Sequence, residues 1–378
     1  MRIYQRFFRQ FRAKGGASFI LRERLLLLIV GLVLSHQVHS APHFSDSPPQ
    51  FKSRFDVKSV ALCDTARETL AYLNKGTAYD PQVIHAGKAV AIPLARVKAT
   101  LAFICKNQSR MNDPAFIKEH FEFIRWYPDL NRARQLSANK PLLQHLPKAR
   151  ILMTKYYVHL AKANSKPTAS TPFALYALPK DELHLTVEQA DAQPNLARFK
   201  YGKQAILHGA LEPWHVPKLA YFSRDDLEAA LLQGTVVADF GPGTGKKIFN
   251  VHRNNNIAYD RTKNPYAQER FWFFKQVAGI KGYGKDAEYK ITVNPEVTFA
   301  ADLNQLGLGK MLMIQYPDRS GALTARIGIL ADTGGAFADN LYQVDYLAGS
   351  YPGKEAFYRA TRQLPDYVDA YFMVLKKH

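Results

Sequence analysis

The chain has 378 residues, 47% of them hydrophobic, and a formal net charge of +19 at pH 7. That length and apolar content can bury a substantial core in one large domain or two, and they exclude wholesale disorder. With two cysteines far apart and no HExxH pair among twelve histidines, there is no zinc-ligand spacing, and neither metal nor cofactor is implied.

Residues 1–40 read as a leader, to be set aside before the fold is considered. Arg2, Arg6, Arg9, Arg12, Lys14, Arg22 and Arg24 precede the apolar run LLLLIVGLVL at 25–34, and VHS offers small residues before Ala41. A charged start, an apolar run too short to span a bilayer and a small-residue site describe a secretory signal peptide. An uncleaved amino-terminal anchor is the alternative on the same pattern. No cysteine lies near the cleavage position, so a bacterial lipid anchor is not supported.

The leader holds seven of the 51 Lys and Arg and one of the 32 Asp and Glu, so the mature chain keeps a charge of +13. In a cytosolic protein this would point to nucleic acid. In an exported, periplasmic one the anions at hand are phospholipid head groups, lipopolysaccharide and cell-wall peptide carboxylates. Nucleic acid is then not expected, and peripheral contact with an anionic membrane surface is compatible with the charge. The same compartment leaves two readings for Cys63 and Cys105: a disulfide, or two buried thiols on neighbouring helices.

Residues 56–128 read as helical. Asp56 is expected to cap a run with Val60, Cys63, Leu70 and Leu73 at helical spacing, ended by Lys75 and Gly76. Pro93 suits a first helical position before Leu94, Val97, Leu101 and Ile104. Asp113 and Pro114 open a third helix expected to carry Phe116, Ile117, His120, Phe121 and Ile124. From about 150 the pattern turns to short β-like runs, ILMTKYYVHL, FALYAL, TVVADF, IFNV and FWFF. One helix interrupts them: SRDDLEAALLQG, 223–234, with Ser223 and Asp226 in capping-box spacing and Gly234 at its end. After 285 follow YKITV, VTFAAD, KMLMIQY, ARIGILAD and YVDAYFMVL, the makings of a compact β-barrel.

Several familiar sites fail. GPGTGKK, 241–247, has Phe240 where a phosphate-binding loop needs Gly and Lys247 where it needs Ser or Thr, so its glycines read as a turn between strands. No GxSxG elbow exists, and both cysteines fall on apolar helical faces, away from nucleophile settings. ARIGILAD reads as a strand ending at Asp332, where Gly334 and Gly335 are expected to let the backbone turn sharply.

This last segment does not stand alone. DTGGAF with Asp332, then QVDYLAG with Asp345, resembles the carboxy-terminal three-aspartate domain of the membrane-bound lytic murein transglycosylase A family, and Asp302 in VTFAAD falls where the third aspartate would be. LMTKYYVHLAKA resembles the family's Thr-Gly-Tyr-Tyr segment, DDLEAALLQGTVVADFGPG its helix and Gln-Gly-Ser, NNNIAYD its alanine-tyrosine stretch, and ERFWFFK its aromatic return strand. These cover about 152–378 in the family's order, with weaker similarity at FIKEHFEFIRW. Lys155 stands where the family has Gly, Thr235 replaces Ser, two extra residues separate Asp332 from Asp345, and DRTKNPYAQ is shorter than the family's segment.

The resemblance implies a mainly β chain with an α-helical amino-terminal part: residues 41–153 and 283–378 forming a domain with a double-psi β-barrel, and 154–282 an inserted second β-rich domain, with a glycan groove between them. It implies a peptidoglycan lytic transglycosylase acting as a monomer on glycan strands. Asp345 would be the acid and then base, helped by Asp332 and Asp302. Thr154, Tyr156, Tyr157, Gln233, Gly234, Tyr259, Gly334 and Gly335 would meet the substrate. A neighbouring carboxylate and apolar burial would keep Asp345 protonated at neutral pH. The departures leave room for a non-catalytic wall-binding or scaffold protein on the same fold. A hydrolase would need a second carboxylate placed to activate water.

Overall fold

A computed structural model describes residues 42–377 of the chain. The leader read from residues 1–40 lies outside them. Among the described residues no helix is long and apolar enough to cross a membrane.

Two short strands, β1 (His43–Asp46) and β2 (Arg54–Phe55), precede helices α1 (Ser59–Leu73) and α2 (Leu94–Lys106). Asp56 does not cap α1: the cap position is Lys58, and Asp56 instead pairs with Arg326 at 2.7 Å. Cys63 and Cys105, on the facing sides of these helices, are joined as a disulfide with Cα atoms 4.8 Å apart. Helix α3 (Pro114–His120) begins as expected, with Asp113 accepting from the amides of Ala115 and Phe116, a cap worth about 1 kcal/mol. It ends sooner. Phe121 and Ile124 belong to β3 (Phe121–Tyr127), whose alternation of buried Phe121, exposed Glu122 and buried Phe123 is that of a half-buried strand. A three-residue spacing of apolar side chains on paper fits either period when the segment is this short.

After α4 (Leu130–Gln135) and α5 (Pro141–Gln144) comes β4 (Ile151–Lys162), then β5 (Phe173–Tyr176), α6 (Val187–Asp191), α7 (Lys203–Leu207) and β6 (Lys218–Phe222). Helix α8 (Arg224–Gln233) starts on Ser223, whose hydroxyl takes the Asp226 amide, and stops at Gly234 with φ +77°. The hairpin of β7 (Thr235–Asp239) and β8 (Lys246–Asn254) turns through Gly241, Gly243 and Gly245, all at positive φ, so the GPGTGKK glycines serve a turn. Strand β9 (Trp272–Val277) returns, and β10 (Thr298–Ala300), α9 (Leu303–Leu306), β11 (Met311–Pro317), β12 (Leu323–Asp332), β13 (Gln343–Tyr351), α10 (Lys354–Thr361) and β14 (Tyr367–Leu375) complete the chain. YKITV is not a strand; it contributes one isolated bridge, Thr292 with Lys281.

Twelve strands form one mixed sheet in the order β1-β3-β14-β11-β12-β10-β13-β4-β7-β8-β9, with β2 beside β12. Strand β14 also pairs with β4, so β14, β11, β12, β10, β13 and β4 close into a ring. Strands β5 and β6 pair separately. One hydrophobic cluster packs α1 and α2 onto the ring through Leu62, Leu101, Phe299, Leu312, Tyr346 and Phe372. A second, with Phe222, Leu227, Phe249, Phe271, Phe273 and Phe274, lies among residues 161–274. Burying each large side chain of this kind contributes about 1.5–3 kcal/mol relative to exposure.

Candidate active site

Three strands bring the aspartates near one another. Strand β10 runs between β12 and β13, and Ala300 is registered with Asp332 on one side and Asp345 on the other. Asp345 is in turn registered with Thr154 of β4. Side chains alternate faces along a strand, so the preceding pair, Phe299 and Tyr346, points the other way, fully into the core with rings 5.6 Å apart. Asp332 joins this row through a bulge. The parallel register runs Phe299 to Leu330 and then jumps to Ala300 with Asp332, which passes over Ala331.

The row forms the floor of a cavity of about 690 Å³ lined, among others, by Tyr156, Tyr157, Gln233, Gly234, Asn250, Lys290, Asp332, Gly334, Gly335 and Asp345. Asp332 is heavily bonded: Tyr156 donates its hydroxyl to Oδ2 at 2.7 Å and the Thr333 amide donates to Oδ1 at 2.9 Å. Asp345 has the Thr154 hydroxyl beside it, while its enclosed Oδ1 has no protein partner. Thr154 is itself held by Gln343 Nε2 at 2.7 Å. Both carboxyls are surrounded by protein, yet water from the cavity still reaches them.

Burial is the largest influence on each and pushes each up to about 6. For Asp332, the bonds from Tyr156 and Thr333 and the charge of Lys290 pull back down. For Asp345, Thr154 pulls down, the Asp332 charge adds to the rise, and Lys155 opposes it. The titration belongs to the pair. The closer bonding of Asp332 favours its ionised form over that of Asp345.

The remaining expected residues divide. Gln233 lines the cavity with its Oε1 occupied by the His159 amide at 2.9 Å, so its NH₂ end is what it has left to offer. Tyr157 stacks on Phe357 at 4.7 Å and meets Tyr351 edge-on. Gly334 is extended, with φ −162°, and Gly335 opens a short 3-10 turn closed by the Phe337 amide on Gly334 O at 3.0 Å, so the chain does turn here but without a glycine at positive φ. A side chain at either would meet no atom of the protein closer than 4.0 Å. Their bareness leaves the rim of the cavity open. Tyr259, 42% exposed, lines a neighbouring hollow of about 280 Å³ that shares Gln233, Gly234 and Val251 with the main cavity.

Asp302 is not among the residues that line the cavity shared by Asp332 and Asp345. It is buried, caps α9 by accepting from the Gln305 amide at 3.1 Å, and takes the Asn340 amide at 3.2 Å. It thereby ties α9 to the loop that leads into β13. Lys155 is paired with Asp366 at 2.6 Å. Sequence reasoning missed Asn250, Lys281, Lys290 and Phe357, which line the cavity from segments without a motif. No cluster of His, Cys, Asp and Glu suited to a metal occurs among the described residues.

The fold, with a strand ring that closes through β14 and β4, is shared with solved structures of membrane-bound lytic murein transglycosylases. The structure of E. coli MltA with bound chitohexaose matches with a TM-score of 0.51 at 16% identity, over 89% of this chain and 95% of that one. The membrane-bound lytic murein transglycosylase from Agrobacterium tumefaciens matches with a TM-score of 0.51 at 15% identity, over 88% and 97%. At this identity the likeness is one of fold. No family model matches the sequence, and no curated protein matches it.

Proposed function

We propose that the chain is a periplasmic lytic transglycosylase that cleaves the β-1,4 bond between N-acetylmuramic acid and N-acetylglucosamine in peptidoglycan. The observation that carries this reading is the enclosed, unpartnered Oδ1 of Asp345 at the floor of the cavity, next to an Asp332 whose own oxygens are occupied. The fold likeness to a protein crystallised with chitohexaose supports a glycan ligand.

Cleavage needs a proton on the leaving oxygen while positive charge builds at the anomeric carbon. Asp345 gives its proton to the glycosidic oxygen as the C1–O bond breaks. The sugar's own 6-hydroxyl then bonds to C1, and its proton returns to Asp345, so no water is consumed and a 1,6-anhydro end results. Asp332, ionised and held by Tyr156 and Thr333, favours the protonated state of Asp345 beforehand and offsets positive charge on the sugar. Gln233, Tyr157, and Tyr259 in the adjoining hollow extend the surface on which further sugars would lie.

The separate hydrophobic clusters support a division into 41–153 with 283–378 and an inserted 154–282, and the closed ring supports a double-psi arrangement in the first. We read the chain as a monomer, with its positive charge suited to peripheral membrane contact.

Digesting peptidoglycan with the mature chain and identifying the ends by mass spectrometry tests the function. Anhydromuramyl ends that vanish in Asp345→Asn are expected. Reducing ends would mean a hydrolase, and binding without cleavage a wall-binding protein.

A further inference from the structure

Two lysines of the cavity wall have no direct ion-pair partner among the described residues, although the Asp332 carboxylate acts on Lys290 from beyond contact distance. Lys290 Nζ donates to Asn250 Oδ1 at 3.1 Å, and Lys281 Nζ to Thr292 Oγ1 at 2.8 Å. Both acceptors are neutral, and neither lysine forms an ion pair among the described residues. Lys155, the other cation lining this cavity, is by contrast neutralised by Asp366.

The position of the two is built. Backbone bonds from Gly282 to Ile291 and from Ile291 to Tyr283 hold their segments together, and Tyr283 donates its amide to Ala331 O at 2.9 Å, against the strand end that carries Asp332. A Cβ on Gly282 would lie 2.6 Å from that same carbonyl, so the close approach requires glycine. Removing an ammonium from water is costly unless an anion meets it. A neutral polysaccharide supplies no such group.

We infer that the cavity takes a carboxylate carried by the glycan, and that Lys281 and Lys290 are the specificity-determining side chains that receive it; this rests on the glycan-cleaving reading above. Two sources offer that chemistry: the lactyl ether of muramic acid when bare, and the acidic groups of an attached peptide stem.

The test is calorimetry on the mature chain carrying Asp345→Asn, with three ligands of equal sugar length: chitohexaose, a muramyl glycan stripped of peptide, and one bearing its stems. We expect a charged ligand to bind about tenfold tighter than chitohexaose, the worth of a charge-assisted hydrogen bond in a partly desolvated site. That ratio should collapse in Lys290→Gln and Lys281→Gln and recover in part in Lys290→Arg, with unfolding temperatures verifying the fold of each. A preference for the stripped glycan assigns the lactyl group, and one for the stemmed glycan assigns the peptide.

Equal or undetectable binding of all three, or a preference that survives both Gln variants, overturns the inference. So does a shift in the pH profile of the otherwise unaltered chain with no change in preference, because Lys290 would then serve Asp332 alone. Cleavage is scored separately: anhydro products without ligand preference sink this inference only, and preference without products sinks the proposed reaction only.

Discussion

Asp332 and Asp345 flank Ala300 in one row across three strands, yet Asp332 receives two close hydrogen bonds while Asp345 keeps an enclosed oxygen without one. The asymmetry sets a direction for proton transfer. Two carboxyls near about 6, one needed as acid and one as anion, give a bell-shaped rate profile centred near pH 6. Asp332→Asn removes the charge that raises Asp345, so the alkaline limb should move to lower pH. Tyr156→Phe removes a bond to the Asp332 anion, so the acid limb should move to higher pH. Rates of anhydromuramyl product formation between pH 4 and 8 check both, and unmoved limbs would refute the coupling.

Stability should share the preference of the alkaline limb for a protonated Asp345. Asp345 has a folded pKa raised to about 6 from an ordinary 3.8, so its stabilising contribution is full below the unfolded value and lost as pH rises through the folded one. Asp345→Asn should therefore be more stable than the parent at pH 8, by on the order of 2 kcal/mol, and about equally stable at pH 4. Thermal melts at both values decide it. A destabilised variant at pH 8 would mean that the ionised carboxylate is held by bonds other than those described.

Ala300 is the gap between the two carboxyls. Its side chain shares their face and, although buried, borders the cavity, so the added atoms of Ala300→Leu would crowd the space between them. Overpacking should cost about 1–3 kcal/mol of stability, while cleavage falls by about a hundredfold, as expected when reacting groups are displaced by an ångström. Melts paired with product assays measure both. Retained activity would show that substrate does not enter between Asp332 and Asp345.

Asp302 should behave as a structural residue. Replacing it with Ala removes the side-chain acceptor that joins the amides of Gln305 and Asn340, at a cost of about 1–3 kcal/mol. The limbs of the pH profile should stay where they are. If they move with unfolding temperature unchanged, Asp302 acts on the chemistry after all.

How much of this was legible beforehand depends on what each feature rests upon. The Asp113 cap, the α8 boundaries and the GPGTGKK turn were readable because each is fixed by a few neighbouring residues. Strand β3 was not, since its apolar spacing is ambiguous until β14 and β1 lie beside it. Asp332 and Asp345 could be picked out by resemblance, but the Ala331 bulge that aligns them is a matter of register between strands. The same resemblance suggested Asp302 as a partner, although its oxygens are consumed by the backbone. Lys281 and Lys290 carry no local signal. They matter through where a loop crosses β12, and because their ammonium groups bond to neutral acceptors and form no direct ion pair among the described residues.

Strand β4 has one further consequence. Its residues from Leu152 to His159 pair with β13, and those from His159 to Lys162 with β7, so His159 is the rung at which one ladder hands over to the other. That residue is anchored three ways: its amide to Gln233, its ring to Asp226 at 2.7 Å, and its backbone to both neighbours. Any widening of the cleft by a hinge in this strand would have to bend there and release Gln233 as it did so. A rung tied at so many points resists bending, and that stiffness keeps the Gln233 amide in place beside the cavity.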